Sequence, residues 1–183
     1  MSNSARYAPG PASAEVRKEG EAWTIILVRD LHHPPDKVWQ ALTDPKHLRE
    51  WAPYDSDENL GKAGSTVKLT TFGAPSPHET ETIITKAEAP RLLEFNWGGG
   101  ELRWELEPRD GGTRLTLSAQ IAPNWVSMGA AGWHICLDVL GHLLDGAPIG
   151  RISGMEAMKF DGWQRLNAEY AQKFGVELPN WGG

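Results

Sequence analysis

The sequence predicts an α+β fold, an antiparallel sheet with its helices gathered to one side, and three observations carry that expectation. Between residues 65 and 121 apolar and polar residues alternate in short runs joined by short connections, the pattern of an antiparallel meander. After Pro123 the apolar spacing changes from two to about 3.6 residues. Before the meander come one β-rich run and two short helical patterns, so strands and helices are grouped.

The elements follow in order. AWTIILVRD (22–30) places Trp23, Ile25 and Leu27 on one strand face, and AEVRKEGE before it is its hairpin partner, turning near Gly20. Pro35 suits a first helical turn, and Val38, Trp39 and Leu42 then share a side. Asp44-Pro45 reads as an N-cap with Pro at the next position, opening a second short helix that carries Leu48 and Trp51 inward and ends before Pro53. Strands are expected at 65–71, 79–87, 91–97, 101–107 and 113–121, with Gly73–Pro77 as a loop. In ELRWELE (101–107), Leu102, Trp104 and Leu106 oppose Glu101, Arg103, Glu105 and Glu107, a half-buried strand, and Asp110-Gly111-Gly112 turns it into the next. Residues ~125–145 read as the longest helix and ~156–174 as another, with Trp163, Leu166, Tyr170 and Phe174 on one stripe and Gly175 closing it.

The chain length points to one domain. Residues 1–13, rich in Ser, Ala and Pro, read as a disordered tail, and 14–183 as a single domain with a C-terminal helical extension. A net charge of −6 argues against a general nucleic-acid binder. No apolar run approaches the ~18–20 residues of a membrane span, and the N-terminus lacks a signal-peptide layout. The single cysteine, Cys136, excludes an internal disulfide and fits a cytoplasmic location. Nine tryptophans point either to an aromatic-lined cavity or to a core built on large side chains.

GWHICLDVLGHLLDG (132–146) spaces His134, Asp138 and His142 four apart, as metal ligands on one helix side would be. On a helical projection, however, Trp133, Cys136, Leu137, Val139, Leu140, Leu143 and Leu144 form one broad apolar arc, and the His/Asp set takes the opposite side with Asp145. No other segment supplies further ligands, so no metal site is expected and the polar face is read as facing solvent or another chain. Cys136, on the apolar arc, is read as a buried small hydrophobe. The apolar arc is expected to dock on the sheet face bearing Trp97, Trp104 and Leu117.

HHPPDKVWQALTDPKHLREWAPYDSDENLGKAG (32–64) resembles the N-terminal signature of the START-like, or SRPBCC, superfamily, in the branch named after the activator of the heat shock protein 90 ATPase. GWHICLDVLGHLLDG resembles that branch's GW-containing C-terminal helix, and WQRLNAEYAQKFG the end of bacterial members. The resemblance implies a helix-grip (START-like, Bet v-like) fold: a curved antiparallel sheet wrapped around a long C-terminal helix, with two short helices at one end. It implies an apolar cavity between sheet and helix, with Trp51, Phe72, Trp97, Trp104, Trp133, Leu137 and Leu140 the candidates to line or gate it. The eukaryotic activators carry a separate chaperone-binding domain that no segment of this chain matches, so a chaperone partner is not expected.

Three functions compete. The leading expectation is non-enzymatic binding of a small hydrophobic or aromatic ligand in the cavity, with His78 and Arg29 as candidate rim groups and Asn96 turned away. An enzyme of cyclase or hydrolase type would need a tuned acid or base in the same cavity. The chain shows no GxSxG, P-loop or dinucleotide fingerprint; His32, His33, His47 and His78 fall at loops or helix ends, and Glu79 and Glu81 read as a solvated strand face. A protein-interaction module is the third, with Leu178–Trp181 as a handle. No cofactor is expected, and a homodimer is compatible with the sequence.

Overall fold

The computed structural model describes residues 7–72 and 78–178. The loop expected at Gly73–Pro77 and most of the Leu178–Trp181 handle lie outside them; Leu178 itself is exposed. The elements are β1 (Glu15–Glu19), β2 (Ala22–Leu31), α1 (Pro35–Thr43), α2 (Pro45–Trp51), β3 (Tyr54–Ser56), β4 (Thr66–Thr71), β5 (His78–Glu88), β6 (Leu92–Trp97), β7 (Gly100–Arg109), β8 (Gly112–Ile121), α3 (Val126–Leu144), α4 (Gly154–Met158) and α5 (Asp161–Phe174). A 3-10 turn, Pro123–Trp125, leads into α3.

The eight strands form one antiparallel sheet in the order β1-β2-β8-β7-β6-β5-β4-β3. Its register follows the apolar alternation. Leu93 pairs with Trp104 and Trp104 with Leu117, so three successive strands turn their large residues to the same face. Leu27 opposite Leu117 and Ile25 opposite Ala119 carry that face onto β2. The sheet curls as a half-barrel around α3, the arrangement of an α+β helix-grip fold.

The two short helices lie between β2 and β3. Asp44 caps α2 as expected, its carboxylate accepting from the Lys46 amide at 2.9 Å. Trp51 is fully buried, and its indole N–H donates to the Ala41 carbonyl at 2.9 Å, which ties α2 to α1. His33, expected to lead into the first helix, meets Asp145 at 2.7 Å, while Lys37 donates to the Leu144 carbonyl at 2.7 Å. Both contacts fix α1 against the C-terminal end of α3, where free carbonyls favour a cation.

The helical region differs from the sequence expectation in two respects. The single helix expected at ~156–174 is two, α4 and α5, separated around Phe160, whose carbonyl starts α5 by accepting from Trp163 and Gln164. And the polar side of α3 is not a solvated face along its length. α5 packs along α3 and buries His134, while Asp138 and His142 are half-buried and Asp145 at the end is exposed. His134 is 3% exposed, and Ala131 and Ile135 beside it are fully buried. The apolar stripe of α5 needed a surface; α3 supplies it, with Leu166, Tyr170 and Phe174 turned inward. Gly175 ends α5 in the left-handed conformation (φ 71°), with its amide bonded back to the last turn.

The N-terminal segment lies across both helices. Within the stretch 1–13 that the sequence suggests as a tail, the described residues from Tyr7 onward touch the body. Tyr7 and Ala12 pack against the core and Pro9 is buried. Arg165 of α5 donates to the carbonyls of Pro9 and Gly10, and the Tyr7 ring stacks on Phe160 at 5.9 Å.

Candidate functional site

A chamber of about 330 Å³ opens where the first half of α3 passes the ends of β4, β6 and β8. One wall is the sheet side, with Thr71, Trp97 and Ile121; the floor is α3, with Gly129, Gly132, Trp133 and Cys136; the outer wall is Ile152 to Met158, running into α4. Phe72 and Trp125 stand on its sides, and Trp163 reaches it from α5.

Two glycines on α3 give the chamber its shape. At Gly129 a Cβ would sit 2.6 Å from Cδ1 of Ile121 and 3.3 Å from Cδ1 of Ile25, so glycine lets the helix approach β2 and β8 closely. At Gly132 a Cβ would meet nothing within 4 Å. The helix is therefore held near the sheet at one position and leaves bare backbone facing open space one turn on. Neither glycine was picked out from the sequence, although the small-residue run Gly129-Ala130-Ala131-Gly132 before Trp133 is the signal that marks them.

Of the seven residues expected at a cavity, the structure brings Phe72, Trp97 and Trp133 into the chamber lining. Trp51, Trp104, Leu137 and Leu140 do not line it; each is at most 1% exposed and fills the core behind it. Trp104 bridges the two groups, meeting Trp51 edge-on at 5.8 Å and Trp133 at 5.5 Å. Trp97 meets Trp133 at 5.5 Å and donates its indole N–H to the Thr71 hydroxyl at 2.8 Å, so the wall is locked by a hydrogen bond as well as by packing. Trp125, Trp163 and the Ile152–Met158 wall were missed, the last because a five-residue helix is too short to show a period.

The chamber is electrically quiet. Among its described lining residues none bears a carboxylate, imidazole, ammonium or guanidinium. Its one titratable group is the Cys136 thiol, which burial pushes up to about 12 and so holds protonated at neutral pH. Arg151 stacks on the Phe72 ring at 4.5 Å, but its charge is committed to Asp55 and the Leu48 carbonyl.

The expected rim groups lie elsewhere. Arg29 is on the inner sheet face toward the other end of β2, opposite Leu115, and pairs with Asp138 at 3.4 Å. His78 pairs with Thr71 in register but is exposed and outside the lining. Asn96, Glu79 and Glu81 are exposed. The spaced set on α3 is also engaged: His134 Nδ1 faces the Tyr170 hydroxyl, Asp138 accepts from Tyr7 and Arg29, and His142 meets the Tyr7 ring edge-on at 6.0 Å. Among the described residues no group of three or more His, Cys, Asp or Glu is placed to hold a metal ion, and no helix is long and apolar enough to cross a membrane.

Solved structures share this architecture. A conserved protein of unknown function from Enterococcus faecalis superposes with a TM-score of 0.68 at 20% identity, over 90% of this chain and 92% of that one. A protein from Bordetella parapertussis, solved by solution NMR, gives 0.63 at 24% identity over 98% and 97%. CalU16 from Micromonospora echinospora gives 0.62 at 23% identity over 89% and 94%. At these identities the likeness is one of fold. No curated protein gives a significant match. The family model described as "Activator of Hsp90 ATPase homolog 1-like protein" matches residues 32–145, from the turn before α1 to the end of α3. That span is more than half of the chain and holds both short helices, most of the sheet and the gripped helix, and the chain belongs to this family within the START-like, SRPBCC superfamily.

Proposed function

We propose that the protein binds a small hydrophobic molecule in the chamber between α3 and the sheet, without transforming it. The observation that carries this reading is an apolar space of about 330 Å³ beside a large buried core. Its volume sits at the lower end of the ~300–1,000 Å³ typical of small-molecule sites. Its walls are preformed: Trp97 is tied to Thr71, Gly129 sets the helix height, and Trp133 is held between Trp97 and Trp104. A ligand entering would gain apolar contact without ordering a loop, which favours affinity.

The lining also favours binding over acid–base catalysis. A general acid or base must reach the reacting atom and have a matched pKa. The Cys136 thiol, held neutral by burial, is a poor nucleophile and a poor base at neutral pH.

The test is a titration of the protein with a panel of lipids and aromatic compounds, followed by tryptophan fluorescence and native mass spectrometry. Saturable quenching is expected, because Trp97, Trp125, Trp133 and Trp163 all touch the chamber. Absence of any saturable or retained ligand across the panel would overturn the proposal.

A further inference from the structure

We infer that the chamber selects a flat, uncharged, fused-ring arene over both an organic acid and a flexible acyl chain, an inference that rests on the binding reading above. The walls argue for the rings. Five aromatic side chains, Phe72, Trp97, Trp125, Trp133 and Trp163, surround one small space. Trp97 and Trp133 stand at 75° to each other, so one presents a face where the other presents an edge. An arene laid against this packed pair meets a ring face and a ring edge together, the two geometries that aromatic quadrupoles favour.

The floor argues for flatness. Bare backbone at Gly132, where a Cβ would meet no atom within 4 Å beyond its own stretch of helix, leaves a shallow slot along the helix. A planar ring lies on such a strip, whereas a branched or bulky body needs depth that Ile121 and Ile25 close off one turn earlier at Gly129.

The electrostatics argue against an ionised ligand. A carboxylate carried into the chamber would lose its water and find no cation in the lining, because Arg151 is already held by Asp55. The hydroxyls of Thr71 and Ser153 suffice for one neutral polar substituent. Flexibility argues against a long acyl chain, which would surrender torsional freedom on entry that rigid rings do not have to lose.

The experiment compares three probes by isothermal titration calorimetry at pH 7: 2-naphthol, neutral and flat; 2-naphthoate, the same rings with a carboxylate; and 1-decanol, neutral and flexible. Saturable one-to-one binding of 2-naphthol is expected, at least about tenfold tighter than either other probe. Equal or tighter binding of 2-naphthoate or 1-decanol overturns the inference while leaving apolar binding intact. Binding of none of the three overturns the inference, and the broad panel above then decides whether apolar binding itself stands. Gly132→Leu, which fills the slot, should weaken 2-naphthol at least about tenfold with cooperative unfolding preserved. Should it not fold, Ala157→Phe fills the chamber from the opposite wall and carries the same expectation. Undiminished 2-naphthol binding by a folded, filled variant would place the site elsewhere and overturn the inference.

Discussion

The hydroxyl of Tyr170 donates to Nδ1 of His134 across 2.7 Å, and the rest of its bonding leaves it no alternative. The same oxygen accepts from the backbone amides of Ser13 at 3.0 Å and Ala14 at 3.1 Å, which occupies both lone pairs. Its proton is then free only for the imidazole, so Nδ1 is an acceptor and the His134 proton sits on Nε2, toward Asp138 at 3.7 Å. A second proton on Nδ1 would point at an oxygen with nothing left to accept it.

His134 should therefore make stability depend on pH. Burial is the main cause of its lowered pKa, about 4 instead of 6.5; Asp138 and Glu169 oppose the shift, and Arg29 and Arg165 assist it. The unfolded chain binds a proton here between pH 6.5 and 4 and the folded chain does not, so stability falls as pH falls through that window. The full effect is roughly 3 kcal/mol at pH 4 and nothing above pH 7. Urea denaturation of the protein and of His134→Gln at several pH values isolates it. The variant should lose that part of the slope, and an unchanged slope would mean that His134 is not held neutral.

Tyr170→Phe should destabilise the protein more than one lost hydrogen bond implies. It removes a hydroxyl and leaves two amides and a ring nitrogen without their partner. With each unsatisfied buried group costing ~1–3 kcal/mol, partly relieved by water, a loss of about 2–4 kcal/mol is expected. A loss under ~1 kcal/mol in urea melts would show that the strand entry at Ser13-Ala14 is solvated rather than held.

Sequence patterning exposed the fold more fully than the site, and particular residues show why. Leu102, Trp104 and Leu106 announce a half-buried strand because alternation is a property of the strand alone. The three-residue β3 is too short to alternate, and its pairing with β4 is a tertiary fact. On α3 the amphipathic arc located the sheet-facing residues correctly, but polarity on the other side does not tell water from a second helix bringing its own hydroxyl. Ile135 and Ala131 on that side are the signal that something covers it. The chamber was legible only as a set of aromatic residues. Which of them face space and which fill it depends on where Gly129 and Gly132 remove side-chain volume.

The N-terminal segment should brace the outer wall of the chamber. Tyr7 donates to Asp138 and stacks on Phe160, and Phe160 joins α4, which forms that wall, to α5. Arg29 adds a bond from the sheet to Asp138 and another to Ser13 at 3.3 Å. Tyr7→Ala should speed amide hydrogen exchange in residues 154–163 by about tenfold or more while leaving β6–β8 unchanged, since only local opening is affected. Equal exchange in both proteins would show that the wall holds itself.

The Cys136 thiol reports on the chamber from within. It lines the space yet is 2% exposed, and burial holds its pKa at about 12. At pH 8 its thiolate fraction is then on the order of 10⁻⁴, against roughly a quarter for a free cysteine of pKa ~8.5. Since the thiolate is the reacting form, iodoacetamide should label the native protein at least about a thousandfold more slowly than the urea-unfolded chain. Labelling of the native protein at the free-thiol rate would mean that the thiol is not held buried and protonated on the chamber floor.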